Sequence, residues 1–201
     1  MRDKVVDYIM LKIENKNEYD KTKLLEIRYG LQGLYTLVTK SIVIIILAIL
    51  LDFVKELLLF NLFYIPLRSV GYGTHASSNI QCWIFSILFI LGFPYLLIHL
   101  NPTLTIQLFL WGLCFICFLL FSPADTEKRP MINKKRKLKF KLAILVLSFI
   151  YLFLLLRFES ISNLVVSAML LQSVLVSPLG YIIMGQKVRF RLNDINIFKL
   201  N

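Results

Sequence analysis

Apolar runs of membrane-crossing length fill most of the chain between Gly33 and Met184. A spanning helix needs about 20 mostly apolar residues, and helices satisfy their own backbone polar groups inside lipid. Six runs are visible, at 33–51, 53–67, 80–100, 103–122, 142–157 and 160–184. Hydrophobic residues make up 58% of the 201 and the mean hydropathy is +0.72, whereas a soluble domain is about 45–50% apolar. The expected fold class is all-α. The chain reads as a polytopic transmembrane helix bundle of about six spans, with both termini cytoplasmic and an N-terminal amphipathic helix.

Charge sets the orientation. Run 53–67 is short and carries Lys55 and Glu56 near its start, so length alone leaves it open between a span and a re-entrant piece. Lys and Arg number eight in residues 1–40, eight in 123–141 and four in 185–201. These segments are therefore expected in the cytoplasm. An even number of spans must separate the N-terminus from the 123–141 loop, and counting run 53–67 gives four. The outer turns then fall near Asp52 to Glu56, at 101–103 ("NPT") and at 157–160 ("RFES"). Residues 68–79 become cytoplasmic, with Arg68 directly after the second run. The net charge of +11 lies in basic residues that flank spans, and no nucleic-acid-binding motif appears, so no nucleic-acid partner is expected.

Residues 1–30 form a separate piece, ahead of a transmembrane domain at 31–201. No apolar h-region precedes a cleavage site, so the first span is expected to act as its own insertion signal. Val5, Val6, Ile9, Met10 and Ile13 share one helical face. Such a helix either lies on the inner membrane surface, against lipid, or is simply solvated.

The least apolar stretch inside the hydrophobic part is "RSVGYGTHASSNIQC", residues 68–82. It holds His75 and Cys82. Seven residues apart on one unbroken helix they would sit roughly 10 Å apart along the axis, with both side chains leaning toward the N-terminus. A working pair therefore needs a break. Gly71 and Gly73 supply one. Ser78 with Gln81 three residues later matches a capping box, and Asn79 is a second possible N-cap. Either choice leaves His75 in a loop and Cys82 in the first turn of a helix. A helix N-terminus and a nearby imidazolium both favour a thiolate, which is the nucleophile. A loop histidine can protonate a leaving amine. Backbone N–H groups of that first turn, or of the glycine-rich loop, can hold an oxyanion.

The plainer alternative is that His75 and Cys82 are merely tolerated near a membrane surface. One His and one Cys fall short of the three or four ligands that zinc takes, so no metal and no cofactor is expected. Three cysteines cannot build a disulfide framework. Cys114 and Cys117 lie inside an apolar run and read as buried thiols. His99, beside "NPT", reads as an interfacial side chain.

The combination Arg68…Gly71-x-Gly73-x-His75-Ala76…Cys82 resembles the signature of the AgrB family. "FSPADTEKRPM" followed by "KKRKLK" is similar to that family's later cytoplasmic loop. The order of these pieces matches over nearly the whole chain, although Tyr72 separates two glycines that are often adjacent in the family. The resemblance implies a membrane cysteine endopeptidase that processes AgrD, the autoinducing-peptide precursor of Gram-positive quorum sensing. It also implies His75 and Cys82 as the catalytic pair and suggests a homodimer; Arg68, Gly71, Gly73 and Ser78 are expected to support the loop and the oxyanion. Cys82 would form a thioester with the precursor as its acidic tail leaves, and an internal cysteine of the precursor would close a thiolactone ring. The basic residues Lys134, Lys135, Arg136 and Lys137 then have two readings: an acidic-tail docking site, or ordinary positive-inside topology. A small peptide or solute transporter and a non-catalytic scaffold remain as alternatives. A transporter of this kind is expected to show inverted repeats or broken helices, and no repeat is visible.

Overall fold

A computed structural model describes residues 2–14, 19–74, 78–124 and 133–186. Among these residues the backbone forms helices joined by short turns, plus one isolated parallel bridge between Tyr72 and Ala124. The order is α1 (Arg2–Glu14), α2 (Lys21–Leu50), α3 (Val54–Gly71), α4 (Asn79–Ser86), a π-helical stretch (Ile87–Gly92), α5 (Phe93–Leu100), α6 (Leu104–Phe121), α7 (Lys134–Arg157), α8 (Glu159–Val176) and α9 (Pro178–Ile183). The chain divides into two compact units, Met1–Asp52 and Phe53–Asn201.

In the first unit, α1 packs on α2. Val6 and Met10 of the expected apolar face are buried, while Val5 is 41% exposed. Arg28 also meets Asp7 at 2.5 Å, an exposed ion pair of the kind worth little. Asp20 caps α2, its carboxylate accepting from the Lys21 N–H at 2.7 Å.

In the second unit α8 is the axis. Val165, Val166, Ser167, Ala168 and Met169 are consecutive and fully buried, because α8 packs against α3, α5, α6, α7 and α9. Serines on this helix keep its girth small, which lets neighbouring backbones come close. Polar tips tie the surrounding helices together. The Tyr151 hydroxyl donates to the Phe63 carbonyl at 2.7 Å, and the Trp111 indole N–H to the Ser148 carbonyl at 2.9 Å. The opposite surfaces of α6 and α7 expose Phe109, Ile116, Phe149 and Phe153, the outward apolar face that lipid requires.

Five helical stretches are long and apolar enough to cross a membrane: Lys21–Leu50, Ile80–Leu100, Leu104–Phe121, Lys134–Arg157 and Glu159–Val176. The protein is thus a multi-pass membrane protein. The 18-residue helix α3 carries Lys55, Glu56 and Arg68, and it buries Leu57, Phe60, Phe63 and Leu67. The turns expected near Asp52, 101–103 and 157–160 are all helix junctions. At the second, Asn101 ends α5 with φ 41 and Pro102 follows, a common way to stop a helix.

Candidate active site

Two helix ends and a short strap build the site. The first end is the start of α4. Ser78 is its N-cap, with φ −114 and ψ 157. Its hydroxyl accepts from the Gln81 N–H at 3.2 Å, and its own N–H donates to Gln81 Oε1 at 3.4 Å. This is the reciprocal capping box expected from the sequence, with Ser78 rather than Asn79 as the cap. Cys82 follows as the fourth helical residue, half-buried, its N–H donating to the Ser78 carbonyl at 3.0 Å. The N–H groups of Gln81 and Cys82 are therefore engaged by Ser78.

The second end is that of α3. The helix runs through Gly71, so Arg68 and Gly71 belong to its last turn and not to a loop. A cation in the last turn suits the helix dipole. There is no room at Gly71 for more than a hydrogen: a Cβ would lie 2.5 Å from Gln172 Nε2 and 2.7 Å from Ile144 Cδ1.

The strap is Tyr72 to Thr74. Tyr72 has φ 55 and Gly73 φ 125. A positive φ is uncommon for tyrosine, and the neighbourhood holds it firmly. The Tyr72 carbonyl accepts from Arg68 Nη1 at 2.7 Å and from Gln172 Nε2 at 2.7 Å. Arg68 Nη2 donates to the Thr74 carbonyl at 2.8 Å. The Thr74 N–H and hydroxyl both donate to the Leu175 carbonyl, at 3.0 and 3.2 Å. The Ala124 N–H donates to the Gly71 carbonyl at 3.1 Å. A Cβ on Gly73 would run into Arg68 Nη1. One guanidinium thus clasps two carbonyls of the strap, and the strap ends at the residue before His75. His75 itself lies outside the described residues.

Cys82 lines a cavity of about 110 Å³. Arg68 and Thr74 line it too, with Ser86 and the apolar side chains Phe85, Phe89, Leu171 and Leu175. The cavity therefore joins a thiol, a cation and the residue before His75 in a mostly apolar wall.

The basic residues open α7, and from Asn133 onward this segment is helix rather than loop. Asn133 caps it, its side-chain oxygen accepting from the N–H groups of Lys135 (3.0 Å) and Arg136 (3.4 Å). Lys134, Lys135 and Arg136 are exposed, and Lys137 is partly buried. Arg136 lies 5.6 Å from the Phe140 ring centroid, and Phe140 meets Tyr72 edge-on at 5.2 Å. Two rings thus connect the basic helix start to the strap. The 125–132 part of the expected basic loop lies outside the described residues.

Cys114 is buried in α6, its Sγ 3.6 Å from the Ser173 hydroxyl, and none of the three cysteines is in a disulfide. Among the described residues no group of three His, Cys, Asp or Glu gathers as a metal site would. His99 is exposed in the last turn of α5, its Nδ1 2.8 Å from the Tyr95 carbonyl. Thr74, Ser86 and Gln172 escaped the sequence reading. The one signal for Gln172 was a polar side chain deep in an apolar run, and such residues in a span usually have a task.

The model of the family AgrB, "Accessory gene regulator B", matches residues 3–176. Accessory gene regulator protein B of Staphylococcus epidermidis is 32% identical over 179 residues, covering 89% of this chain and 92% of that protein. The protein of the same name from Staphylococcus carnosus (strain TM300) is 33% identical over 134 residues, 67% of this chain and 70% of that one. Its counterpart in Staphylococcus aureus (strain MRSA252) is 26% identical over 179 residues, 89% of this chain and 96% of that one. No solved structure matches. With a family model spanning most of its length and relatives matching nearly end to end, the chain belongs to the accessory gene regulator B family.

Proposed function

We propose that this protein is a membrane-embedded cysteine endopeptidase that matures a quorum-sensing propeptide, with Cys82 as nucleophile and His75 as its base and acid. The observation that carries the reading is the shared cavity. Cys82, at a capped helix start, lines the same small space as Arg68 and Thr74, and Thr74 is bonded in place immediately before His75.

The chemistry runs in two exchanges. Cys82 Sγ passes its proton to His75 and attacks the carbonyl carbon of the scissile bond. The Arg68 guanidinium supplies positive charge on the side of the developing oxyanion. The C–N bond then breaks, His75 gives the proton to the leaving amine, and the acidic tail departs. The remaining acyl group sits on Cys82 as a thioester. A cysteine inside the precursor loses its proton to His75 and attacks that thioester. The new thioester is the ring bond of a thiolactone, and Cys82 leaves as thiolate and recovers the proton. Exchange between two thioesters keeps the acyl group activated, which direct cyclisation from an amide does not. The intermediate survives only if water is kept out, and the phenyl and leucyl walls of the cavity suit that need.

The substrate is an AgrD-like precursor with an acidic tail, and the basic start of α7 draws that tail toward the strap. In a six-span reading that counts α3, the positive-inside bias favours a cavity mouth and an α7 start on the cytoplasmic face, where a newly made peptide arrives. Mass spectrometry of the intact protein co-expressed with such a precursor tests the reading. The expected result is an adduct on Cys82 equal to the precursor without its tail. Undiminished cleavage by Cys82→Ser and by His75→Ala would sink it.

A further inference from the structure

Gln172 stands within α8, the most enclosed helix of the second unit, and its side chain is fully buried. A buried amide is unfavourable unless both of its ends are paired. Nε2 donates to the Tyr72 carbonyl at 2.7 Å. Oε1 is buried with no partner among the described residues. An apolar side chain of similar length fills the same space and leaves no orphaned acceptor, so packing alone does not account for a glutamine here. What the amide does, and a methionine cannot, is hold the carbonyl of Tyr72.

That carbonyl is well placed to matter. It belongs to the one non-glycine residue of the strap with positive φ. It also takes Arg68 Nη1, so α3 and α8 grip one oxygen from two sides. Three residues later comes His75. Gly71 completes the arrangement, since a Cβ there would stand 2.5 Å from Gln172 Nε2.

We infer that Gln172 is a positioning residue: through the Tyr72 carbonyl it sets, with Arg68, the path of the strap that ends one residue before His75. It touches no reacting atom. The inference rests on the peptidase reading above and assigns α8 a part in it.

The test uses the full chain in lipid vesicles, carrying Cys114→Ala and Cys117→Ala so that Cys82 is the one thiol. The probe is a synthetic peptide with an internal cysteine and an acidic C-terminal tail, and a second readout is the pH dependence of Cys82 alkylation by iodoacetamide. Gln172→Met should lower kcat about 100-fold, the scale of a small misplacement of a catalytic group, with KM within about twofold. Its alkylation profile should coincide with that of His75→Ala and differ from the parent's. Gly71→Ala strikes the same contact from the end of α3 and should act alike, and the double variant should be no slower than the slower single. If Gln172→Met does not accumulate, Gly71→Ala carries the same expectations. A kcat within about twofold of the parent overturns the inference and leaves the peptidase reading standing. Parental cleavage by Cys82→Ala sinks that reading first, and the inference with it.

Discussion

Arg68, which grips the strap, and Gly73 within it are residues for which a near neighbour in chemistry is no substitute. Arg68 reaches the carbonyls of Tyr72 and Thr74 with two different nitrogens, at 2.7 and 2.8 Å. A lysine keeps the charge but is a single point donor without the fork. Arg68→Lys should therefore lose at least about tenfold in precursor cleavage, measured in membranes holding equal amounts of protein. Gly73 combines φ 125 with a Cβ position already taken by Arg68. Gly73→Ala should lower stability by about 1–3 kcal/mol, read as a lowered unfolding midpoint in detergent. Gly112, with nothing within 4 Å of its Cβ position, makes the control, because Gly112→Ala should lose nothing and gain up to about 1 kcal/mol as a helix residue. Among the strap's neighbours, Ser78 and Gln81 were legible in advance, because a capping box is a contact between residues three apart. Arg68's grip was not, since it depends on how the chain turns after α3. Gln172 was still less visible, lying 100 residues from the carbonyl it holds.

At the scale of elements, α4 and α7 begin in opposite electrostatic circumstances. The α4 start carries no acid or base and relies on its box. Ser78→Ala should weaken that start by about 1 kcal/mol, with faster hydrogen exchange at the amides of Gln81 and Cys82 as the readout. Helix α7 begins with Lys134, Lys135, Arg136 and Lys137, cations at the end where the helix dipole is positive, a placement unfavourable by about 0.3–1 kcal/mol each. A cluster kept against that gradient fits positive-inside insertion and recruitment of an acidic tail alike. Replacing all four with glutamine separates the two. If the cluster recruits the tail, cleavage falls and loses its dependence on salt. Unchanged cleavage with insertion intact leaves topology as its whole role. The helical nature of these runs was readable from hydropathy, but their ends were not. Helix α3 continues four residues beyond its apolar run because Arg68 bonds back onto the chain that follows, and α7 starts within the basic stretch because Asn133 caps it.

For the whole molecule, the proposed even count of crossings makes a prediction about sides. On a background lacking the native cysteines, Thr103→Cys should react with a membrane-impermeant maleimide added outside intact cells. Lys134→Cys should react after the membrane is opened. The reverse pattern, or both positions on one side, overturns the six-span arrangement and with it the cytoplasmic cavity mouth. Composition and charge made the bundle and its orientation legible as an expectation. They did not reveal that α8 is the axis: its serines and Gln172 make it less apolar than the other four stretches, but a less apolar run does not by itself tell an enclosed helix from a weaker span.

The π-helical stretch from Ile87 to Gly92 has a mechanical consequence. A widened turn takes up an extra residue, so the faces of the helix before and after it are out of step with a plain α-helix. Cys82, Phe85, Ser86 and Phe89 turn to the cavity ahead of it or within it, while Leu91, Pro94 and Leu97 are the buried positions at its end and beyond. Removing one residue between Leu88 and Gly92 would regularise the helix and leave its two halves facing much as they do now, whereas adding one would turn them by about 100° relative to each other. With α5 held by its packing on α8, that rotation would fall on α4, so an insertion deep in the apolar run would swing the thiol off the cavity without touching a single residue that lines the strap, while a deletion there would keep it on the cavity.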